Sequence, residues 1–193
     1  MKITAIKPIV LSIPFTDGSS GNGLMPGAWT ELDFLLVRIE TDAGLVGWGE
    51  GFGYFCHEAG ASMIERSIAP QLIGRELSDP SEMMEAVQRG MVLQGRHGVS
   101  TFAQSGVDIA LWDLKAKAEQ VSLARLLGAR EGSLRQSIPA YASLVRYGDA
   151  NLVARFSEKA VSENYPEIKL HEITLPNIQA CHDAIGSGTP VSV

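Results

Sequence analysis

Two side chains suited to proton transfer stand two residues apart in an otherwise apolar segment. Lys169 and His171 flank Leu170 within the segment EIKLHEI, residues 167–173. Side chains two apart on a strand point to the same face, and an ammonium group beside an imidazole disfavours the protonated ring. A neutral imidazole is a common general base in enzymes. The spacing therefore predicts either proton abstraction by His171 or a strand end with two polar residues near solvent.

The segment that carries this pair alternates strand-like with helix-like stretches. Residues 138–144 and 167–173 are predicted strands, residues 150–163 and 176–185 are predicted helices, and residues 190–193 suggest the opening of a third strand. Alternation of this kind indicates βαβ units around a parallel sheet. Val193 lies inside the third predicted strand, whereas domain boundaries usually fall in exposed linkers. We therefore expect further chain after Val193 in the complete protein.

The first third of the chain predicts a three-stranded antiparallel meander. An apolar strand runs from Ile3 to Pro14, a second covers residues 35–40, and residues 45–50 return as its partner. The intervening TDAG (41–44) favours a turn, because Asp and Gly supply the side-chain hydrogen bond and the positive φ of a chain reversal. Residues 15–30 then form the one long loop.

Helices are predicted to follow the meander. Apolar residues recur at helical spacing from Met63 to Leu72, and Asp79-Pro80 is a typical helix start. A continuous apolar stripe runs along residues 103–118. A short final helix is predicted to be capped by Ser122 and to direct Leu123, Leu126 and Leu127 inward before Gly128 ends it. Residues 1–130 thus predict a complete α+β unit.

Composition excludes several classes of function. The 193 residues carry 16 Lys and Arg against 22 Asp and Glu, a net charge of −6, and no cluster of basic residues that would neutralise phosphates. No stretch approaches the roughly 20 apolar residues of a membrane helix, and no secretory signal is evident. Cys56 and Cys181 show no metal-binding or disulfide spacing. We expect a cytoplasmic protein that binds neither nucleic acid nor membranes.

Three stretches together resemble a known family. They are LVRIETDAGLVGWGE (36–50), AQSGVDIALWDLKAK (103–117) followed by LLG (126–128), and IKLH (168–171). The second is the most specific. The chain resembles the enolase superfamily in its mandelate racemase/muconate lactonizing enzyme branch. The resemblance implies an α+β capping domain over residues 1–130, with a three-stranded antiparallel meander plus helices. Residues 131–193 would then be the first two βα units of a (β/α)-barrel and the start of its third strand.

The resemblance also implies a chemistry. Members of the branch remove the proton α to a carboxylate and stabilise the enediolate on Mg²⁺, with a Lys or His base. His171 would take the place of the second residue of the family's Lys-x-Lys pair, and Lys169 that of the first. The carboxylate ligands of Mg²⁺ end the third, fourth and fifth barrel strands in this family. We therefore expect no metal ligand within the chain, and we expect the 193 residues alone to be inactive.

Five further residues are candidates for substrate binding by the same resemblance. Ser143 and Tyr141 lie near the carboxyl end of the first barrel strand, where barrel active sites collect. Trp29, Tyr54 and His57 lie in loops 15–30 and 51–58, which correspond to the loops that close the barrel mouth. Ordinary packing fits each of the five as well.

The class of reaction stays open at this point. The expected substrate is a small carboxylate such as a hydroxy acid or an acid sugar, and the expected enzyme is a homo-oligomer. Dehydratases, racemases or epimerases and cycloisomerases of the branch all begin with α-proton removal. The departure from Lys-x-Lys at His171 leaves substrate and stereochemistry undecided. The alternative is a non-catalytic chain that serves as an assembly or binding module, because a partial barrel exposes strand edges that a partner must cover.

Overall fold

The computed structural model of the chain describes residues 1–16, 18–19, 30–128, 130 and 132–193. The chain divides into two compact units. The first unit comprises Met1–Ile13 and Leu32–Leu134, and the second comprises Pro14–Glu31 and Arg135–Val193. The predicted domain boundary between residues 130 and 131 stays a prediction. No helix among the described residues is long and apolar enough to cross a membrane.

The first unit contains a three-stranded sheet and a set of helices. Its elements are β1 (Ile3–Pro14), β2 (Glu31–Thr41), β3 (Val46–Gly51), α1 (His57–Met63), a π-helical turn (Ile64–Ile68), α2 (Ala69–Leu72), α3 (Pro80–Gly90), α4 (Val99–Ala118) and α5 (Leu123–Leu126). The sheet order is β1-β2-β3, and β2 pairs with β3 in antiparallel register. The predicted meander is therefore confirmed, whereas the π-helical turn within the predicted helix 63–72 was missed.

The hairpin of β2 and β3 follows its sequence closely. Gly44 has φ +78° and its N–H donates to Thr41 O at 3.1 Å, which closes the predicted turn. Along β2, Leu35, Val37 and Ile39 are fully buried. The residues between them are partly exposed, as expected for a sheet with one face on a core. The apolar face of α4 contributes to the same core.

The contact between β3 and α4 depends on glycine. A β-carbon at Gly47 would lie 2.3 Å from Ala110 O, and one at Gly49 would lie 2.1 Å from Gly106 O. Both distances are far below van der Waals contact. The helix backbone can therefore approach the strand only because these positions lack a side chain.

The second unit has a parallel sheet with helices on one side. Its described elements are β4 (Ala142–Ser143), α6 (Ala150–Ser162), β5 (Ile168–Lys169), α7 (Leu175–Ile185), a 3₁₀ turn (Gly186–Gly188) and β6 (Val191–Ser192). The order is β4-β5-β6, with parallel pairing throughout. Two βα units and the start of a third strand were predicted, and this part of the fold class is confirmed.

Two finer predictions were wrong. The strands predicted over 138–144 and 167–173 pair over only two residues each. Ile138 is largely exposed, and the following Pro139 has no N–H to offer a ladder. Leu123 and Leu127 were predicted to face inward but are 38% and 63% exposed. The reason is that α5 is a single turn of four residues, too short to present an apolar stripe to a core.

Candidate active site

The register of the parallel sheet sorts its side chains onto two faces. Ala142 pairs with Ile168 and Ile168 with Val191, and these three pack into the core formed with α6 and α7. The neighbouring row is Ser143, Lys169 and Ser192, also in register. Because successive side chains alternate between faces, this polar row lies on the face opposite the helices. Ser192 was not among the predicted residues, although the period of two pointed to it.

Lys169 stands in the middle strand of this row. Its Nζ lies 6.0 Å from the centroid of the Tyr141 ring, within range of a cation–π contact. Tyr141 is 49% exposed and Ser143 is also exposed. The structure thus brings Tyr141, Ser143 and Lys169 together, at one end of the sheet. The parallel strands of a barrel direct such residues toward its active-site end.

His171 follows β5 and faces the same way as Lys169. Burial alternates along the segment: Ile168 and Leu170 are buried, whereas Lys169 and His171 are partly exposed. The His171 Nδ1 atom lies 2.6 Å from Leu144 O. A carbonyl oxygen can only accept, so Nδ1 must carry the hydrogen, and in the neutral ring Nε2 is then unprotonated. This is the form in which an imidazole can take a proton through Nε2.

Sequence reasoning missed two charged residues in the loops next to His171. Arg146 Nε donates to His171 O at 2.8 Å. Glu172 is only 2% exposed, and its carboxylate accepts hydrogen bonds from the loop that follows β4. Both residues line a cleft of about 480 Å³, together with Thr174 and Asn177. They were missed because each is hydrogen-bonded to a residue about 25 positions away in the sequence, and no local pattern reveals such a bond.

The roles predicted for residues of loops 15–30 and 51–58 in substrate binding stay predictions. Tyr54 and His57 lie in the first unit, and Trp29 lies outside the described residues. The ring of Tyr54 contacts that of Phe52 at 4.8 Å between centroids, and Phe52 contacts Phe102 at 4.7 Å. An aromatic cluster therefore holds Tyr54 in place at the end of β3.

His57 is enclosed by carboxylates. Its Nδ1 lies 3.4 Å from Asp33 Oδ2, and its Nε2 lies 3.1 Å from Glu58 Oε1. The side chain is only 12% exposed. Both ring nitrogens therefore face acidic groups of the same unit. The role of His57 in substrate binding stays a prediction.

Asp108 is a titratable residue away from these loops whose pKa is shifted by its surroundings. Asp108, on α4, lines a cleft of about 670 Å³ between α3 and α4. Partial burial raises the pKa of its carboxyl above the ordinary value of 3.8, and a hydrogen bond with Trp112 opposes that rise. Glu85, which lines the same cleft, is paired with Arg89.

The described residues do not make a metal site. Across the described part of the chain, no three His, Cys, Asp or Glu side chains converge to hold an ion. Mg²⁺ requires several oxygen ligands in near-octahedral arrangement. The residues present therefore do not fit the Mg²⁺ that the resemblance implies.

Comparison with protein families identifies the first unit. Residues 25–128 match the model of the family described as "Mandelate racemase / muconate lactonizing enzyme, N-terminal domain". The matched range runs from the long loop through the close contact of β3 with α4 to the end of α5.

Individual relatives extend the similarity over both units. The chain is 32% identical over 192 residues to D-galactarolactone cycloisomerase of Agrobacterium fabrum, covering 97% of this chain and 45% of the relative. It is 30% identical over 107 residues to arabinonate dehydratase of Saccharolobus solfataricus, covering 55% of this chain and 29% of the relative. A crystal structure of an enolase superfamily member from Polaromonas sp. JS666 superposes with a TM-score of 0.81 at 29% identity, covering 99% of this chain and 51% of the other. The chain thus spans at most about half the length of the relatives it matches.

Proposed function

The chain belongs to the mandelate racemase/muconate lactonizing enzyme family, and from that premise we propose that it carries the base of an enzyme that abstracts the proton α to a carboxylate. Its capping fold and its first barrel strands have the order that this family uses. The proposed base is His171 and the proposed cationic partner is Lys169. Both are on the polar side of the second unit.

A single observation carries the assignment of His171. Its Nδ1 is hydrogen-bonded to Leu144 O, so Nε2 of the neutral ring is unprotonated and carries a lone pair. A general base must have a lone pair within reach of the proton it removes. In the proposed reaction, Nε2 takes the α-proton and the resulting imidazolium keeps its Nδ1–H on Leu144 O.

Lys169 contributes charge rather than a second base in this proposal. Removal of the α-proton places negative charge on the substrate carboxylate oxygens, and a fixed cation stabilises that charge as it develops. The contact with the Tyr141 ring gives the ammonium group a defined position. Arg146 adds a second positive charge at the same loops.

The residues named in these steps would not hold the metal that the family resemblance implies. We propose that its carboxylate ligands lie outside residues 1–193, on later barrel strands, because no described set of residues in this chain could hold it. When bound there, Mg²⁺ would supply further stabilisation of the enediolate. We accordingly expect the 193 residues by themselves to bind but not to turn over substrate.

The similarity to a galactarolactone cycloisomerase and an arabinonate dehydratase supports acid-sugar chemistry as the substrate class. Both names denote reactions on oxidised sugars. We therefore propose a hydroxylated sugar carboxylate or its lactone as substrate. The common first step is α-proton removal, and the class of the later step depends on groups beyond this chain.

The test is exchange of the substrate α-proton for deuterium, followed by ¹H NMR in ²H₂O with Mg²⁺ and a panel of sugar acids. It is made on the protein expressed from the full reading frame that contains these residues. We expect His171→Gln to slow exchange at least 10²-fold, the usual contribution of a general base. The matched control is His182→Gln, an exposed histidine on α7, which should leave the rate unchanged. Equal rates for His171→Gln and the native enzyme would remove His171 from the mechanism.

A further inference from the structure

The two loops that follow β4 and β5 are tied together by a set of hydrogen bonds. Leu144 O meets His171 Nδ1 at 2.6 Å, and Arg146 Nε donates to His171 O at 2.8 Å. Tyr147 N and Gly148 N donate to Glu172 Oε1 at 2.6 Å and 3.2 Å. The first loop is therefore held to the second along residues 144–148.

Glu172 is the centre of this set. It is among the least exposed charged residues of the described chain, at 2%. Its second oxygen, Oε2, accepts from Asn177 Nδ2 at 2.8 Å, and Asn177 belongs to the first turns of α7. A buried carboxylate is costly unless its oxygens are satisfied. Here one oxygen accepts from the first loop and the other from α7, so the side chain connects three segments at once.

The position of Leu144 O depends on this connection. Leu144 N donates to Lys169 O at 2.9 Å, which continues the pairing of β4 with β5. Beyond that point no further ladder bond is found among the described residues of the loop. Glu172 holds the loop at Tyr147 and Gly148, beside the bond from Arg146 to His171 O and the stacking of Tyr147 on Phe156. The carbonyl that fixes the His171 ring thus lies between the end of the sheet and the Glu172 anchor.

We propose that Glu172 is a positioning residue for His171. By holding residues 147–148, it keeps Leu144 O on Nδ1 and so keeps the Nε2 lone pair available. The inference rests on the proposed function, because the Nδ1–H form of His171 matters for the reaction only if His171 removes the α-proton. The ring form itself is a property of the chain without substrate, and it can be measured independently.

The consequence of losing the anchor follows from the chemistry of imidazole. A neutral ring can carry its hydrogen on either nitrogen. A hydrogen bond between one ring nitrogen and a neighbouring group determines which of the two forms is populated. If the first loop shifts and Leu144 O leaves Nδ1, the Nε2–H form becomes populated. That form cannot accept a proton at Nε2, even though the residue is still present and folded.

The test measures the tautomer of His171 in the ¹⁵N-histidine-labelled chain by long-range ¹H–¹⁵N NMR at a pH where the ring is neutral. Assignment comes from the signal that disappears in His171→Gln. Glu172→Met keeps the size of the side chain and removes both acceptors. Glu172→Gln is the matched control. Its amide oxygen can still accept from Tyr147 N, and its amide N–H can donate to Asn177 Oδ1 once the Asn177 amide has rotated.

We expect the native chain and Glu172→Gln to show mainly the Nδ1–H form. In Glu172→Met the ratio of the Nδ1–H to the Nε2–H form should fall about fivefold, the change that one net hydrogen bond supports. A role confined to stability would lower the melting temperature and leave this ratio unchanged. A folded Glu172→Met with the native ratio therefore overturns the proposal.

A second variant decides the matter if Glu172→Met does not fold. Asn177→Ala removes only the bond to Oε2 and leaves Glu172 free to shift toward α7. The tautomer ratio should then move in the same direction by a smaller amount, and an unchanged ratio overturns the proposal. Loss of α-proton exchange in His171→Gln tests the proposed base separately. A normal ring form combined with absent exchange activity would contradict the proposed function and not the role of Glu172.

Discussion

The first unit and the second unit use their strands in opposite ways. In the first, strands of 6 to 12 residues lie against a 20-residue helix. In the second, each paired strand has two residues, one face carries Ser143, Lys169 and Ser192, and the adjoining loops carry His171. The comparison teaches that the glycine-dependent approach of a strand to a helix belongs to the first unit, whereas the proposed base and its cationic partner belong to the second. Substitutions at the strand–helix contact of the first unit should therefore lower the free energy of unfolding, whereas substitutions on the polar face of the second unit should alter substrate binding.

The largest expected effect is in the packing of the first unit. Gly49→Ala places a β-carbon 2.1 Å from Gly106 O and 2.7 Å from Ala110 N, so β3 and α4 must separate. We expect a loss of about 3 kcal/mol or more of unfolding free energy, measured by denaturant titration. The control is Gly188→Ala in the second unit, where no atom lies within 4 Å of the new methyl group. Equal effects of the two substitutions would contradict the comparison.

A smaller effect, similar in both units, is expected at two helix caps. Asp79 accepts from Ser81 N and Glu82 N at the start of α3, and Asp149 accepts from Asn151 N and Leu152 N at the start of α6. Replacing either by Ala should cost about 1 kcal/mol, measured as a fall in melting temperature.

The control for the caps is Thr174→Ala. Thr174 occupies the same position before α7, but its side chain makes no capping hydrogen bond. Its replacement should leave the melting temperature nearly unchanged. A fall as large as at Asp79 would show that the side-chain oxygen is not what stabilises these helix starts.

The smallest expected effect concerns the pH dependence of the first unit. Burial raises the pKa of Asp108 above 3.8, so the folded chain keeps this proton at pH values where the unfolded chain has lost it. Stability therefore falls as the pH rises from 3.8 through the raised pKa. Asp108→Asn should remove the loss of stability that deprotonation of Asp108 causes, while the Asn amide oxygen can still accept the hydrogen bond from Trp112. Melting curves across this pH range should be flatter for Asp108→Asn than for the control Asp183→Asn, which alters an exposed residue of α7.

Much of the first unit could be predicted from sequence because its signals are local. The TDAG turn, the Asp79-Pro80 helix start and the apolar stripe on α4 each depend on residues a few positions apart. The inward orientation of Leu123 and Leu127 was wrong, because the pattern does not reveal that α5 ends after one turn. The need for Gly49 was also invisible, since the backbone of α4 that excludes a side chain lies about 60 residues away.

The candidate site was predictable only in its local part. The spacing of Lys169 and His171 places them on one face, as the alternation of burial shows. The bond from His171 to Leu144 and the anchoring of Tyr147 by Glu172 join loops that are distant in sequence. Which nitrogen of a histidine carries the hydrogen depends on such a distant partner, so the sequence alone could name a candidate base but not its ring form.

The most direct test of the account is to locate where this chain binds a small sugar carboxylate. Galactarate is titrated into the ¹⁵N-labelled chain, and shifts of backbone amide signals are mapped by NMR. The account predicts shifts concentrated at residues 141–148 and 169–174, reduced in a Lys169→Met variant. Shifts confined to the cleft of Asp108 between α3 and α4, or no shifts at saturating galactarate, would contradict the claim that the second unit carries the chemistry.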